Sequence, residues 1–203
     1  MRKAINIFWV LILLGMCDAC KRTLKIADYV RYVNGKENGL LKKVEVDGFE
    51  YSVQYKPYDY IILMENKGSM MSENTGKRKA ELAGTAWFNI SIKRNDNTTT
   101  LLRYGLSSLD QYNTRLDYYL NKAQNDIWLL YGKDTIHPAS YLFENNYNLT
   151  PQETMVVGFY LPKGDNCPKE KMQLSYNDQV FKNGIIKVTY AEKILDNIPD
   201  LTY

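Results

Sequence analysis

Apolar and polar residues alternate most regularly over residues 40–55. Two alternating runs, Leu40–Val46 and Phe49–Tyr55, flank Asp47-Gly48. Asp-Gly between such runs is a strong signal for a two-residue β-hairpin turn, because both positions tolerate the left-handed backbone that the turn needs. The pattern therefore predicts a hairpin whose second strand turns its aromatic and valine side chains to one face and its polar side chains to the other.

Helical spacing or a helix-start residue predicts short helices elsewhere in the chain. These helices cover residues 24–33, 58–65, 76–84 and 191–198, and for residues 58–65 a further buried strand is the alternative. A more regular helix is expected after a cap at Ser107 or Ser108, with one apolar stripe facing the core. That stripe comprises Leu109, Tyr112, Leu116, Tyr119 and Leu120.

Short apolar segments separated by turn residues fill the rest of the chain and predict strands. They cover residues 86–92, 101–106, 126–131, 140–143, 155–161, 171–176 and 184–190. Short strands joined by turns are typical of antiparallel sheets rather than of parallel sheets with intervening helices. We therefore expect an α+β fold, mainly antiparallel sheet with a few short helices, after an N-terminal signal helix.

The longest apolar run lies at the N-terminus. Arg2 and Lys3 precede an apolar stretch from Ala4 to Met16, interrupted by Asn6. The stretch is shorter than the ~20 residues of a membrane-spanning helix, and polar, charged chain follows it at once. This layout is that of a secretory signal, so we expect residues 1–19 to be a cleaved signal and residues 20–203 to form a single α+β domain.

Two cysteines compete for the position after a cleaved signal. Leu14-Gly15-Met16-Cys17-Asp18 resembles bacterial lipoprotein signals, particularly those of the Bacteroidetes, although a methionine precedes the cysteine where a smaller residue is usual. Cys20 follows the small Ala19, but an aspartate lies inside its recognition site. The resemblance implies that one of the two is acylated, with Cys17 slightly favoured. Plain secretion, with cleavage before Cys20, and a retained anchor helix are the alternatives.

Two further features matter in an exported protein. If Cys17 is acylated, Cys20 and Cys167 are left as a potential disulfide pair, whereas acylation of Cys20 leaves Cys167 single. Asp134-Thr135-Ile136 is similar to the short tripeptide that Bacteroidetes O-glycosylate, and it falls in a predicted turn. Thr135 is therefore a candidate O-glycosylation site.

The composition is that of a folded protein without an obvious catalytic motif. Hydrophobic residues make up 45% and charged residues 24%, and the formal net charge of +3 is interspersed, which does not favour a nucleic-acid partner. The single histidine, His137, cannot build a multi-histidine zinc site or a convincing triad, and nucleotide-binding glycine motifs are absent. We therefore expect no catalytic residue, metal or cofactor.

Two sets of side chains keep other functions open. A glycosidase needs only two carboxyl groups held a few ångströms apart, a distance that sequence spacing does not report. The available acids are Glu50, Glu65, Glu81, Glu144 and Glu153. Aromatic rings stack on sugars, and Tyr55, Tyr58 and Tyr60 form a candidate ligand surface.

The segments NGL, QYKP and NIPDL give the chain the general character of small uncharacterised Bacteroidetes lipoproteins, a resemblance that carries no active site. It implies a lipoprotein anchored in the bacterial cell envelope and facing the periplasm or the cell surface. We expect a non-enzymatic binding or assembly component whose partner is an envelope protein or a glycan. A secreted carboxylate-dependent hydrolase and a carbohydrate-binding module are the alternatives, and a cleft gathering two of the glutamates would favour the hydrolase.

Overall fold

The computed structural model describes residues 22–70, 74–96, 99–162 and 168–202. The expected signal and the three cysteines, Cys17, Cys20 and Cys167, lie outside the described residues, so the expectations of lipidation and of a disulfide stay predictions. None of the described helices is both long enough and apolar enough to cross a membrane.

The described residues form eleven strands and five α-helices. The strands are β1 Thr23–Lys25, β2 Leu41–Val46, β3 Phe49–Lys56, β4 Thr85–Arg94, β5 Ile127–Tyr131, β6 Asp134–Ile136, β7 Ser140–Glu144, β8 Glu153–Tyr160, β9 Met172–Asp178, β10 Gly184–Tyr190 and β11 Asp200–Thr202. The helices are α1 Ile26–Asn34, α2 Tyr58–Glu65, α3 Thr75–Leu82, α4 Leu109–Asp117 and α5 Glu192–Asp196.

Two antiparallel sheets hold most of the strands. The larger has the order β2-β3-β4-β8-β7, and the smaller has the order β10-β9-β5-β6. A third element is a parallel pair, β1 with β11, which joins the two ends of the described chain. The expected α+β fold of mainly antiparallel sheet is therefore confirmed, and the Asp47-Gly48 hairpin forms with Val46 opposite Phe49.

The two sheets bury their facing sides in one core. Along β3 every second side chain is buried, as the alternating sequence predicts. The smaller sheet meets this row through Tyr190, whose ring lies 6.2 Å from Tyr55 and 5.7 Å from Phe88 between ring centres. The Tyr190 hydroxyl donates to the carbonyl of Val53 at 2.9 Å, so this buried polar group is satisfied across the sheets.

A second polar contact joins the sheets at their other end. The hydroxyl of buried Tyr51 donates to Asp178 and accepts from the side-chain amide of Asn183 at 2.6 Å. The same carboxylate accepts the backbone N–H groups of Val180 and Phe181, each at 3.0 Å. The turn between β9 and β10 is thereby fixed against β3.

Helices α2 and α3 cover part of the opposite, outer face of the larger sheet. Ile62, Leu63, Met70 and Leu82 form a second buried cluster there. Trp87 projects from β4 on this side and packs against that cluster. The helices therefore leave a partly covered outer face beside the indole.

Three sequence-based expectations differ from the structure. Residues 101–106 form turns rather than a strand, and Arg115 donates to the Leu101 and Tyr104 carbonyls at 3.0 and 2.7 Å, which occupies backbone groups that a strand would pair. Ser108 caps α4 through the Gln111 N–H as expected, but the apolar stripe is only partly buried. Leu109 is 72% exposed and Leu120 is 45% exposed.

A π-helical turn over Tyr118–Lys122 follows α4 directly. A π turn adds a residue to the helical repeat, so side chains before and after it do not share one face. Tyr119 is fully buried, whereas the leucine next to it is not. Thr135 also differs from expectation, because it lies exposed on β6 rather than in a turn.

The contact between Gly158 and Trp87 gives a test of this packing. A methyl group at Gly158 would lie 2.9 Å from the Trp87 ring, so Gly158→Ala should lower the free energy of unfolding by about 1–3 kcal/mol in urea titration. Gly76→Ala is the matched control, because Gly76 lies in α3 with no atom within 4 Å of the added methyl, and it should stabilise by about 0.4–1 kcal/mol. A Gly158→Ala variant as stable as the wild type would contradict the packing.

Candidate functional site

A cleft lies between helices α2 and α3 and the outer face of the larger sheet. Its volume is about 210 Å³. The strands contribute outward-facing side chains at neighbouring positions, because Lys56 pairs with Trp87 and Asn89 pairs with Val156. The lining residues are Lys56, Tyr60, Ile61, Met64, Glu65, Arg78, Trp87, Asn89, Glu144 and Val156.

One wall of the cleft is an aromatic ring held in a fixed orientation. The Trp87 ring lies against Gly158, and its Nε1–H donates to the hydroxyl of Thr85 at 2.9 Å. Ile61, Met64 and Val156 extend this apolar wall. The cleft thus offers a preformed apolar surface beside its polar groups.

Lys56 is the cation of the cleft that forms no ion pair with the described residues. Its Nζ lies 5.8 Å from the centre of the Tyr60 ring, a cation–π contact. Burial lowers the pKa of the Lys56 ammonium, and the negative charge of Glu144 opposes that shift. Loss of the water around an ammonium group is costly. A ligand that brings a hydrogen-bond acceptor into the cleft would therefore be attracted to the Lys56 ammonium.

Asn89 places an amide in the cleft wall. Its Oδ1 is buried and has no hydrogen-bond partner among the residues that the structure describes. The neighbouring Tyr60 hydroxyl is engaged with Asn34, at 3.1 and 3.2 Å to the two ends of that amide. A buried polar atom without a partner is costly, so the Asn89 side chain is the polar group of this wall that would gain most from a new hydrogen bond.

A salt-bridge cluster closes the helical side of the cleft. The Arg78 guanidinium donates to both carboxylate oxygens of Glu65, at 2.7 and 2.9 Å, and to Glu81 at 3.1 Å. The hydrogen bonds from Arg78 to Glu65 raise the pKa of the guanidinium above its usual value. Both oxygens of Glu65 are therefore occupied by a cation.

The five acids named from the sequence are spread over the molecule. Glu65 and Glu144 line the cleft, and Glu81 bonds to Arg78 beside it. Glu50 instead pairs with Lys43 at 2.6 Å on the larger sheet. The cleft therefore gathers two of the acids, but one of them is already held by an arginine.

Glu153 is the acid with the most unusual environment. It is only 2% exposed and pairs in register with core residue Ile92, so it faces the core rather than the cleft. Burial raises the pKa of the Glu153 carboxyl to about 7, and Asn146 opposes this shift only in part. Neither carboxylate oxygen has a partner of ordinary hydrogen-bond geometry in the described parts of the chain.

The three tyrosines named from the sequence do not form one ligand surface. Tyr55 is 3% exposed and packs between the sheets, so its ring is not accessible to a ligand. Tyr58 is half-buried with the Lys79 ammonium 5.9 Å from its ring centre, and only Tyr60 lines the cleft. The alternation along β3 places its odd-numbered residues in the core. The sequence pattern therefore already predicts that the Tyr55 side chain is buried and is not part of a ligand surface.

Sequence reasoning missed Lys56, Trp87 and Asn89. The alternating pattern of β3 and β4 marks all three as outward-facing, but the helices that cover them are fixed only by the fold. His137 and Thr135 are exposed, away from the cleft lining. Within the described ranges, no three histidine, cysteine or acidic side chains are arranged to hold a metal ion.

Comparisons with known proteins give no functional assignment. No protein-family model matches the chain, and no curated protein matches its sequence. A solved structure described as a novel protein of unknown function from Burkholderia pseudomallei is similar over 88% of this chain and 96% of that one. The two share 9% identity and superpose with a TM-score of 0.37.

Glu153 predicts a pH dependence of stability. Its carboxyl binds a proton more tightly in the folded than in the unfolded chain, so its stabilising contribution is complete below pH 4.5 and is lost as the pH rises through about 7. The predicted quantity is the free energy of unfolding of Glu153→Gln minus that of the wild type. This difference should be about 1–3 kcal/mol more favourable to the variant at about pH 8 than at pH 4.5. Urea titrations across this range measure it.

Glu144→Gln is the matched control, because it removes the same kind of carboxyl group from an exposed position. Equal pH dependence in wild type and Glu153→Gln would contradict the assignment.

Proposed function

We propose that the protein is a lipid-anchored, non-enzymatic binding protein of the bacterial cell envelope, and that its ligand occupies the cleft under α2 and α3. The resemblance of the N-terminal segment to lipoprotein signals supports the export and the anchor. The cleft supports the binding role.

One observation carries the binding role. Lys56 and Asn89 are diagonal neighbours on adjacent strands, and the Lys56 ammonium and the buried Asn89 Oδ1 both lack a hydrogen-bond partner in the described protein, beside the fixed ring of Trp87. Convergent polar groups on an apolar surface are the usual composition of a ligand site. The volume of about 210 Å³ is below the ~300–1,000 Å³ typical of drug-sized ligands, so the cleft accommodates one ring or a short chain.

Binding explains the cleft better than hydrolysis does. A carboxylate-dependent glycosidase needs one acid with a raised pKa beside a second, free carboxylate. In the cleft, Glu65 accepts two hydrogen bonds from Arg78, and the acid whose pKa is raised, Glu153, faces the core. The hydrolase alternative therefore lacks a suitable pair of acids in the cleft.

A carbohydrate ligand is the second candidate, and Trp87 favours it. Indole rings stack on the apolar faces of sugars, and amide and ammonium groups hydrogen-bond to sugar hydroxyls. Trp87, Asn89 and Lys56 provide this combination in one cleft.

Nuclear magnetic resonance of the chain from residue 21 tests the cleft directly. That chain contains two tryptophans, Trp87 and Trp128, so its spectrum has two indole N–H signals. In titrations with glucose, galactose, N-acetylglucosamine and glucuronate, we expect the Trp87 signal to shift and the Trp128 signal, from the other sheet, to stay.

Variants then assign the contacts. Lys56→Met should weaken binding at least about tenfold, since a hydrogen bond to a charged group contributes about 1.5–3 kcal/mol. Lys187→Met, an exposed lysine on β10, is the matched control and should bind like the wild type. Equal affinity of the wild type and Lys56→Met would contradict the proposed site, and absence of any Trp87 shift would overturn the carbohydrate candidate.

A further inference from the structure

The start of the described chain is built firmly into the domain. Strand β1 pairs with β11, and the Asp200 N–H donates to the carbonyl of Arg22 at 2.9 Å. The helix that follows, α1, buries Tyr29 and Val33 in the main core. Arg22 and Thr23 are therefore already fixed within the domain.

This position leaves a very short connection to either candidate lipid site. An extended chain spans at most about 3.3–3.6 Å per residue, so Thr23 lies within about 20 Å of Cys17 or about 10 Å of Cys20. A domain of about 180 residues has a radius of gyration of about 16 Å and is about 40 Å across. The connection is shorter than the domain, so the far side cannot reach the surface in which the lipid is embedded.

We propose that the surface around β1, α1, α5 and β11 rests against the phospholipid headgroups, and this proposal depends on the proposed lipid anchor. Helices α1 and α5 meet beside one hollow of about 550 Å³, whose lining includes Tyr32 from α1, Lys193 from α5, and Arg22. The Tyr32 hydroxyl also donates to the carbonyl of Asn197 at 3.1 Å, which joins α1 to the end of α5. We call this surface the anchor face.

The charges on the anchor face indicate which lipid surface it fits. Its elements, with Arg22 and the turn at 36–38, carry equal numbers of exposed basic and acidic side chains. The basic ones are Arg22, Lys25, Arg31, Lys36 and Lys193, and the acidic ones are Asp28, Glu37, Glu192, Asp196 and Asp200. Each exposed basic residue near an anionic membrane contributes roughly 1 kcal/mol of attraction, and here the acids cancel it. The face therefore suits a zwitterionic headgroup layer, and the short connection, not charge, sets the orientation.

Isoleucine methyl groups report this orientation without a paramagnetic label on the protein. Ile194 and Ile198 lie on or beside α5, at the anchor face. Ile185 lies near the other end of β10, about 17 Å along the strand from Tyr190 at the rise of about 3.4 Å per residue. The two sets therefore differ in their expected distance from the membrane.

The full chain, expressed with its own signal in a bacterium and purified from membranes, is reconstituted into phosphatidylethanolamine–phosphatidylcholine nanodiscs. A fraction of the headgroups carries chelated gadolinium, which broadens nearby methyl signals. We expect the Ile194 and Ile198 signals to be lost and the Ile185 signal to be retained. Equal loss of all three, or loss of Ile185 alone, would overturn the proposed orientation.

An insertion variant provides the control. About twenty Gly/Ser residues between Lys21 and Arg22 lengthen the connection by an average of about 25 Å, and this should remove the contrast between Ile194 and Ile185. Persistence of the contrast in this variant would overturn the role of the short connection. A chain that carries no acyl group and does not enter the nanodiscs would instead refute the proposed lipid anchor.

Discussion

The constraint that organises the structure is the burial of one face of the larger sheet against the smaller one. Tyr190 packs against Tyr55 and Phe88, and its hydroxyl bonds to the Val53 carbonyl, so the two sheets are joined by both apolar area and a satisfied polar contact. An antiparallel sheet can bury one face and expose the other to solvent. Because the inner face is occupied, α2 and α3 pack on the outer face, and the cleft is the part of that face that they leave accessible.

The sequence predicts the individual strands and helices better than it predicts which of them pack or pair with one another. Strict alternation and Asp-Gly identify the β2–β3 hairpin and its buried side, because a strand has a fixed period of two. The π turn after α4 is invisible to a helical pattern, and within it Tyr119 is buried while Leu120 is 45% exposed. The parallel pair of β1 and β11 is three residues long and joins distant parts of the chain, so no local pattern marks it.

The cleft shows the same limit. Lys56, Trp87 and Asn89 are recognisable as outward-facing from alternation alone, and Glu65 lies on a predicted helix. Their convergence depends on the register between β3 and β4 and on how α2 packs, which are long-range properties. Glu153 has the same residue type as Glu65, yet the core raises its pKa while Arg78 occupies Glu65. The sequence identifies the acidic residues, but the environment of each one is determined by the fold.

The cleft and the anchor face lie toward the same end of the larger sheet. Lys56 ends β3, the Tyr55 N–H bonds to the Leu40 carbonyl, and neighbouring Gly39 lies against Ile194 of α5. A lipid-anchored chain would thus hold its ligand close to the membrane. Mass spectrometry of the intact protein extracted from the membranes of its host tests the anchor most directly. We expect a chain beginning at Cys17, or at Cys20, with the added mass of fatty acyl groups. A chain beginning at Met1, or a cleaved chain without lipid, would contradict it.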